Sequence, residues 1–480
     1  MNKNNLTNND LIDKDQDTIA AISTPLGTGG IGIVRLSGPL SISIASKIFR
    51  HKGIIQKKPD EFFSHHIYYG TIVQPNKITG IDEVLLVVMR KPRTYTKDDV
   101  VEINCHGGLL VVKKVLEIVI KLGARIAEPG EFTKIAFLNG RIDLSQAEAV
   151  IDIIESHNEK NLRTSLYQLS GGLKEKISSL KKSIIELTTE IEAPMDFPDQ
   201  GIVEISGKKI RETLKHCLSE VTELLNTVKY GQIIKEGICC VILGKTNVGK
   251  SSLFNLLVKK NRAIVTPIPG TTRDIIEESI NIKGLTFNIT DTAGMKNPEN
   301  IVEQISLERV SEFMKNAQML LLMFDASSPI DEQDIALIKK IKTYGNRNIN
   351  IIIIENKIDL PQRIELAELH KRLGIEETIK MSIKNKVGID ALEDKMIDIA
   401  LSDVSVPENA LIVNNKRHQE YLLRVQRRLI DIISGIEEGI KDDLIAMDLR
   451  YTANQLARIT GESCDLEMLN DVFSKFCIGK

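Results

Sequence analysis

The chain has 480 residues, of which 42 % are hydrophobic and 27 % are charged, and its net charge is −2. This composition is typical of a folded protein, and the length predicts roughly three domains. The nearly balanced charge excludes a global basic field, so any contact with RNA must use a local patch. No apolar stretch approaches the ~18 residues of a membrane span, and the six cysteines lack CxxC or Cys/His ligand spacing. We therefore expect a cytoplasmic protein without structural zinc or membrane contact.

The first 135 residues combine a polar tail with an α/β pattern. Residues 1–16 are rich in Asn and Asp and are predicted to be a disordered tail. Apolar runs at 18–22 and 32–36 predict two strands around a glycine-rich turn, and runs at 83–89 and 100–103 predict two more. Helical spacing at 109–122 completes an α/β domain predicted for residues 17–135.

Helical patterns flank the middle of the chain on both sides. Apolar residues recur at helical spacing in 147–154, 173–191 and 210–230, and Pro194 and Pro198 are predicted to interrupt this pattern. Further helices are predicted at 417–433 and 443–459. Neither flank alone has a large core, so we expect residues 136–236 and 404–480 to form one helical domain with residues 237–403 inserted in it. Two separate helical flanks are the alternative.

The inserted segment opens with a phosphate-binding pattern. Residues 244–251 read Gly-Lys-Thr-Asn-Val-Gly-Lys-Ser after the apolar run 238–243. In a G-x-x-x-x-G-K-[ST] loop, backbone N–H groups surround the β-phosphate of a nucleotide. Lys250 is predicted to reach the β- and γ-phosphates, and the Ser251 hydroxyl to ligate Mg²⁺. The helix that follows directs its positive end at the phosphates.

Four later elements complete a guanine-nucleotide site. The N-K-x-D element at 356–359 predicts that the Asp359 carboxylate accepts two N–H bonds from guanine, which adenine cannot supply. Asp291-Thr-Ala-Gly294 predicts a Mg²⁺ and γ-phosphate contact, Gly270-Thr-Thr-Arg273 a switch loop with Thr272 on Mg²⁺, and 382–384 a last guanine-contacting loop. The predicted nucleotide-binding residues are Asn247, Val248, Gly249, Lys250, Ser251, Ser252, Thr266, Pro267, Ile268, Pro269, Gly270, Thr271, Thr272, Asp291, Thr292, Ala293, Gly294, Asn356, Lys357, Ile358, Asp359, Ser382, Ile383 and Lys384.

The position that carries a water-orienting glutamine in Ras-like enzymes holds Met295 here. Hydrolysis therefore needs another water-orienting group and another source of positive charge. Asn247 could supply an oxygen to a monovalent cation beside the phosphates, with segment 266–272 closing over it. Alternatively, Asn247 is a loop residue without that role.

Taken together, these residues make the chain resemble the MnmE (TrmE) family of tRNA modification GTPases from Asp17 onward. The motifs that carry the resemblance are Asp17-Thr-Ile-Ala, Gly29-Gly-Ile-Gly-Ile-Val-Arg35, Cys105-His-Gly-Gly108, Pro129-Gly-Glu-Phe-Thr133, Ala136-Phe-Leu-Asn139, Asp143-Leu-Ser-Gln-Ala-Glu-Ala149, Asp196-Phe-Pro-Asp199 and the terminal Phe476-Cys-Ile-Gly-Lys480.

The resemblance implies a fold and a reaction. The fold is a multidomain α/β protein with an N-terminal α/β folate-binding and dimerisation domain, an all-α helical domain and an inserted Ras-like P-loop GTPase domain, whose mostly parallel sheet carries helices on both faces. Family members act with a flavoprotein, MnmG, which carries the FAD. The two proteins are expected to form a heterotetramer. Together they add an aminomethyl or carboxymethylaminomethyl group to carbon 5 of the wobble uridine of certain tRNAs. The carbon comes from 5-formyl- or 5,10-methylenetetrahydrofolate. Binding of GTP and K⁺ pairs the GTPase domains of the homodimer, and hydrolysis separates them.

The resemblance also implies roles for individual residues. K⁺ would be held by Asn247, Thr266, Ile268 and Thr271, and Mg²⁺ by Ser251 and Thr272. Glu303 would orient the attacking water in place of the absent glutamine. Folate contacts would be Arg35, Glu102, Arg141 and Lys480, with Arg141 standing where the family pattern has lysine. Cys477 is a candidate nucleophile toward the uracil ring, and a buried or folate-contacting cysteine is its alternative.

Two other functions remain compatible with part of the sequence. A ribosome-assembly or translation GTPase without folate chemistry would share the phosphate loop and N-K-x-D element. Such proteins usually carry an RNA-binding module or a second GTPase domain, and neither pattern occurs here. A folate-binding scaffold whose GTPase cycle only regulates a partner is not separable from the first function by sequence.

Overall fold

The computed structural model of the chain describes residues 17–480 apart from 53–54, 76–78, 204, 262–276, 292–316, 345–348, 366, 376, 403, 405–406 and 408–409. Its contacts divide it into two units. One unit contains the residues up to Ile151 together with Ala457–Lys480, and the other contains Asp152–Leu456. Among the helices that the structure describes, none has the length and apolarity needed to cross a bilayer.

The strands of the described residues are β1 Ile19–Ile22, β2 Ile31–Ser37, β3 Phe49–His51, β4 His66–Val73, β5 Gly80–Met89, β6 Val100–His106, β7 Arg125–Ile126, β8 Ile238–Leu243, β9 Glu277–Ile282, β10 Leu285–Asp291, β11 Met319–Asp325, β12 Asn350–Asn356 and β13 Thr378–Met381. The α-helices are α1 Ser41–Ile48, α2 Leu109–Lys121, α3 Glu131–Leu138, α4 Leu144–Ile154, α5 Glu159–Leu169, α6 Gly172–Asp196, α7 Gly207–Asn226, α8 Val228–Glu236, α9 Lys250–Asn261, α10 Glu332–Tyr344, α11 Ala367–Leu373, α12 Ile389–Leu401, α13 Lys416–Glu438, α14 Asp442–Thr460 and α15 Leu466–Phe473.

The N-terminal unit is built on a sheet with the strand order β3-β4-β5-β6-β2-β1-β7. Its strands are antiparallel except for the β1–β7 pair. Side chains alternate along β2, β4 and β5, so one face packs on α1 and α2 and the other face is left partly open. The strands predicted at the ends of the glycine-rich turn are confirmed as β1 and β2, and β3 and β4 were not predicted.

The C-terminal residues join this same unit. Helix α15 packs on α3, and its Leu469, Val472 and Phe473 share one buried cluster with Ala136 of α3 and Leu144 of α4. The chain then runs past β1, because the Phe132 N–H donates to the Lys480 carbonyl at 3.2 Å and the Ser23 hydroxyl donates to the Gly479 carbonyl at 3.2 Å. The terminal residues are thereby fixed against strand β1 and helix α3.

The second unit contains a helical part and a second sheet. Helix α7 packs on α13 and on α6 through leucine, isoleucine and valine side chains at helical spacing. Thus helices from before and after the inserted segment contact each other. The prediction that Pro194 and Pro198 interrupt the helical pattern is confirmed: α6 ends at Asp196, with Pro194 in its last turn, and Pro198 lies outside the α-helix. A proline this close to the end removes few backbone bonds.

The second sheet has the order β13-β12-β11-β8-β10-β9 and is parallel except for the β9–β10 hairpin. Strands β8 and β11 are apolar and almost wholly buried because helices cover both faces of the sheet. A mostly parallel sheet of this kind places its loops for ligand binding at the carboxyl ends of its strands. The multidomain α/β class predicted from sequence is confirmed.

One asparagine ties the helical part to the second sheet. Asn158 caps α5 by accepting from the Asn161 N–H at 2.7 Å. Its amide donates to the Ile234 carbonyl in α8 at 2.8 Å and to the Thr286 hydroxyl in β10 at 3.0 Å. Because Asn158 is buried, these bonds satisfy a polar group that would otherwise destabilise the fold. They hold β10, the strand that ends at Asp291, against the helices.

Candidate functional site

The loop between β8 and α9 has the backbone of a phosphate cradle. Gly244 and Gly249 have φ angles of +154° and +108°. A Cβ on Gly244 would lie 2.6 Å from the Met323 carbonyl oxygen, and one on Gly249 would lie 2.6 Å from Asn356 Nδ2. Both positions therefore require glycine for space as well as for backbone angle.

The side chains of the phosphate loop differ in their exposure and contacts. Val248 is buried, whereas Ser251 and Ser252 are exposed in the first turn of α9. Asn247 is exposed and has a φ of +63°, a left-handed conformation that asparagine tolerates better than most residues. Lys250 Nζ donates to the carbonyls of Gly244 at 2.9 Å and Lys245 at 2.8 Å. These bonds hold its ammonium group over the loop.

Asn356 joins three loops at the carboxyl edge of the sheet. It ends β12 and is buried. Its Nδ2 donates to the Val248 carbonyl at 2.8 Å, and its Oδ1 accepts from the Ile383 N–H at 3.2 Å. One side chain thus fixes the phosphate loop, the 356–359 element and the 382–384 loop relative to one another.

The Asp359 carboxylate is held from one side by the 382–384 loop. Its Oδ1 accepts from the Ser382 hydroxyl at 2.6 Å, and Ser382 itself is buried and accepts from the Asn385 N–H at 3.2 Å. The hydrogen bond from Ser382 lowers the pKa of Asp359, so the carboxylate is ionised at neutral pH. An exposed carboxylate in this position can accept the two N–H groups that guanine offers.

Lys357 is fixed by an acidic residue that the sequence analysis did not identify. Its Nζ donates to Asp325 Oδ2 at 2.6 Å, and Asp325 Oδ1 accepts from the N–H and hydroxyl of Ser327 at 2.9 and 2.6 Å. Burial alone would raise the pKa of Asp325, but the bonds from Lys357 and Ser327 outweigh it and lower that pKa. The available signal was an aspartate at the end of the apolar run 319–324, one residue before a Ser-Ser-Pro sequence.

Several predicted residues fall outside the described part of the chain. These are Thr266, Pro267, Ile268, Pro269, Gly270, Thr271, Thr272, Thr292, Ala293, Gly294 and Glu303. Asp291 ends β10, where it pairs in register with Ile242 of β8. The described residues therefore bring together the phosphate loop and both guanine elements.

A second polar cluster lies in the N-terminal unit. Arg35 on β2 and Glu102 on β6 are directly opposite each other, with Arg35 Nε 2.8 Å from Glu102 Oε1. Arg35 Nη1 also donates to the Gly479 carbonyl at 3.3 Å, which brings the C-terminal segment to the same place. Burial, followed by the charge of Arg35, lowers the pKa of Lys480. Three of the four predicted folate residues thus lie together.

Arg141 and Cys477 occupy the surroundings of that cluster. The Arg141 guanidinium lies 4.7 Å from the centre of the Tyr95 ring, and that of Arg35 lies 5.7 Å from the centre of the Phe132 ring. Phe132 and Tyr95 belong to one small apolar group, so the two arginines flank it. Cys477 is an exposed thiol, and its carbonyl accepts from the Gly130 N–H at 3.4 Å.

Comparison with known proteins identifies the family. The model of the MnmE helical domain matches residues 144–477, and the model of the TrmE N-terminus, described as that of a GTP-binding protein, matches residues 18–141. The chain belongs to the MnmE (TrmE) family of tRNA modification GTPases. It is accordingly a GTPase, and the family expected from the sequence motifs is confirmed.

Individual relatives match over nearly their whole length. The tRNA modification GTPase MnmE of Carboxydothermus hydrogenoformans is 44 % identical over 97 % of this chain and 100 % of its own. The proteins of that name from Thermoanaerobacter pseudethanolicus and Acetivibrio thermocellus are each 44 % identical over 97 % of this chain and 99 % of theirs.

Proposed function

We propose that this protein uses GTP hydrolysis to drive modification of the wobble uridine of certain tRNAs. With a flavoprotein partner of the MnmG type, which carries FAD, it adds an aminomethyl or carboxymethylaminomethyl group to carbon 5. The reaction takes place in the cytoplasm. The observation that carries the proposal is that one chain holds both a guanine-nucleotide site and the Arg35–Glu102–Lys480 cluster, within a family match that spans 97 % of its length.

The N-terminal cluster suits a tetrahydrofolate one-carbon derivative. Glu102 can accept from the amino group of a pterin ring, while Arg35 and Lys480 supply positive charge to an acidic ligand. Arg141 provides a further cation beside Tyr95. When bound, the folate supplies the one-carbon unit, and the residues of the chain hold and orient it. We assign residues 17–135 to this domain, 136–236 and 404–480 to the helical domain, and 237–403 to the GTPase domain.

The phosphate loop contains one described candidate ligand for each cation, Ser251 for Mg²⁺ and Asn247 for K⁺. The Ser251 hydroxyl and Thr272 would hold Mg²⁺, and Asn247, Thr266, Ile268 and Thr271 would hold K⁺. Asn247 fits because it is exposed on the loop in a left-handed conformation. Mg²⁺ and K⁺ held by these residues would supply positive charge to the phosphate oxygens. Glu303 would orient the attacking water, and Cys477 is the candidate nucleophile. Equal GTP turnover in K⁺ and in Na⁺ at one ionic strength would contradict the K⁺ site.

The open face of the N-terminal sheet favours a homodimer. Tyr69 of β4 and Leu85 of β5 are directly opposite each other and are 58 % and 46 % exposed, and nearby Ile67 is 65 % exposed. An apolar patch of this kind on a sheet face commonly marks a protein interface. A purified protein that sediments as a monomer at micromolar concentration would contradict the homodimer.

The test of the overall function is nucleoside analysis of tRNA. We expect cells without this protein to lose the modified wobble uridine, and expression of the wild-type chain to restore it. Restoration by the wild type but not by Glu102→Gln would tie the loss to the N-terminal cluster. Unchanged wobble modification in cells without the protein would instead favour a GTPase acting in ribosome assembly or translation.

A further inference from the structure

The phosphate loop contains a second lysine, Lys245, whose ammonium group is paired with two carboxylates. Lys245 Nζ lies 2.9 Å from Asp331 Oδ2 and 3.0 Å from Asp334 Oδ2. The side chains of Lys245 and Asp334 are only 17 % and 3 % exposed, whereas that of Asp331 is 49 % exposed. Burial alone would lower the pKa of Lys245, but the bonds to both aspartates outweigh it and raise that pKa.

The two carboxylates lie at the N-terminal cap of helix α10. Asp331 precedes α10, and its Oδ1 accepts from the N–H groups of Gln333 at 3.0 Å and Asp334 at 3.1 Å. In return, Asp334 Oδ2 accepts from the Asp331 N–H at 3.2 Å. This reciprocal arrangement is a capping box, which satisfies the open N–H groups of a helix end. Lys245 is therefore anchored to the capped N-terminus of α10.

The Lys245 backbone carbonyl connects the anchored Lys245 side chain to Lys250. The carbonyl oxygen of Lys245 accepts from Lys250 Nζ at 2.8 Å. Fixing the Lys245 side chain at the start of α10 therefore also fixes the carbonyl that orients the Lys250 ammonium. The same pair of carboxylates neutralises Lys245. Lys250 is then the lysine of this loop that we expect to contact the phosphates.

We propose that Lys245, anchored by Asp331 and Asp334, is a positioning residue of the GTPase that sets the place of the Lys250 ammonium for nucleotide binding. Asp334 is the main anchor because it is buried. Its Oδ1 has no hydrogen-bond partner among the described residues, so Lys245 is the cation that compensates its charge. The proposal concerns GTP binding alone and does not depend on the tRNA chemistry proposed above.

The test is Asp334→Asn in the full-length protein, with binding of GDP and of a non-hydrolysable GTP analogue measured in the presence of Mg²⁺. Because Lys250 contacts the β-phosphate in both nucleotides, we expect both affinities to fall by about ten-fold, which corresponds to about 1.4 kcal/mol. The preference for guanine over adenine should stay unchanged because Asp359 is untouched. Lys245→Arg should retain most of the affinity, and Lys245→Met should lose it.

A matched control separates this role from a merely structural ion pair. Asp152 Oδ1 lies 2.7 Å from Lys235 Nζ, and the Asp152 side chain is 4 % exposed, in the same unit as the GTPase site. Asp152→Asn should lower the unfolding temperature while leaving both nucleotide affinities at the wild-type value. Wild-type nucleotide affinity in Asp334→Asn would overturn the proposal, whatever its unfolding temperature. If Asp334→Asn does not fold, Lys245→Met is judged by the same criterion.

Discussion

The nucleotide site and the N-terminal cluster are assembled from the chain in opposite ways. At the nucleotide site, the important side chains sit in short consecutive segments at the carboxyl ends of parallel strands, and Asn356 alone joins three of those segments. In the N-terminal cluster, Arg35, Glu102 and Lys480 come from distant parts of the sequence: Arg35 and Glu102 meet because β2 pairs with β6, and Lys480 joins them because the last residues run against β1 and β2. A site of the first kind can be recognised from short local motifs in the sequence. A site of the second kind depends on long-range packing.

The two sites also differ in how they hold their cations. Lys357, which follows β12, is bound by Asp325 at the end of the neighbouring strand β11. The Asp325 carboxylate is itself fixed by Ser327. Arg35 is bound by Glu102 across two strands and by a carbonyl of the C-terminal segment. Loss of the C-terminal segment should therefore disturb only the second site. This comparison predicts that the sites can be damaged one at a time.

The largest expected effect is that of Asp359→Asn on the nucleotide site. The amide would offer a donor where guanine also offers donors, so GTP affinity should fall on the order of 10³-fold. Xanthosine triphosphate, which carries an oxygen in place of the 2-amino group, should bind the variant better than GTP does. Titration with fluorescent nucleotides measures both, and affinity for a tetrahydrofolate derivative should be unchanged.

Asp390→Asn is the control for that experiment, because Asp390 is another exposed aspartate of the same sheet domain, paired with Lys260. It should bind GTP like the wild type. A GTP affinity of Asp359→Asn within roughly two-fold of the wild type would reject the guanine contact, since a lost pair of hydrogen bonds costs far more.

The second expected effect is a loss of folate binding in Gly479→Ala. Gly479 has a φ of +96°, and a Cβ there would lie 2.6 Å from the Ile22 carbonyl oxygen and 3.0 Å from Ser23 Cα. Backbone atoms cannot yield easily, so the C-terminal segment must shift and release Arg35. We expect affinity for 5-formyltetrahydrofolate, measured by calorimetry, to fall by about ten-fold, or about 1.4 kcal/mol, while GTP affinity is unchanged.

Gly439→Ala tests whether backbone strain alone could produce that result. Gly439 has a φ of +79°, and nothing lies within 4 Å of the position its Cβ would take. This variant should keep wild-type folate affinity. Equal folate affinity in Gly479→Ala and the wild type would mean that the C-terminal segment does not position the cluster, and the contrast between the two sites would disappear.

The same contrast explains what the sequence could predict. The phosphate loop, Asn356 and Ser382 were identified because short motifs fix both the residues and their spacing, and the structure places them together. Asp325 was missed because it lies in no such motif, although it holds Lys357. Arg35, Glu102 and Lys480 were named only through resemblance to a family, since no local pattern places residues 35 and 480 in contact. The end of α6 was predicted from Pro194 and Pro198, because proline is unfavourable in a helix interior.

The smallest expected effect concerns the carboxylate that holds Lys357. The pKa of Asp325 is lower in the folded protein than in the unfolded chain. Its contribution to stability is therefore fully present above the unfolded-state pKa and is lost as pH falls through the folded-state pKa. At neutral pH, Asp325→Asn should reduce the free energy of unfolding by about 1 kcal/mol, the usual net contribution of one hydrogen bond, because solvent screens its partly exposed partner Lys357. Urea unfolding should show a difference in unfolding free energy between variant and wild type that is constant from about pH 7 to about pH 5 and shrinks below about pH 4.

In a Lys357→Met background this difference should be smaller at neutral pH, because the main partner of Asp325 is gone. A gap that widens as the pH falls would show that Asp325 is not the ionised anchor of Lys357. In that case Lys357 would be positioned by its backbone alone, whereas Arg35 of the N-terminal cluster is positioned by Glu102.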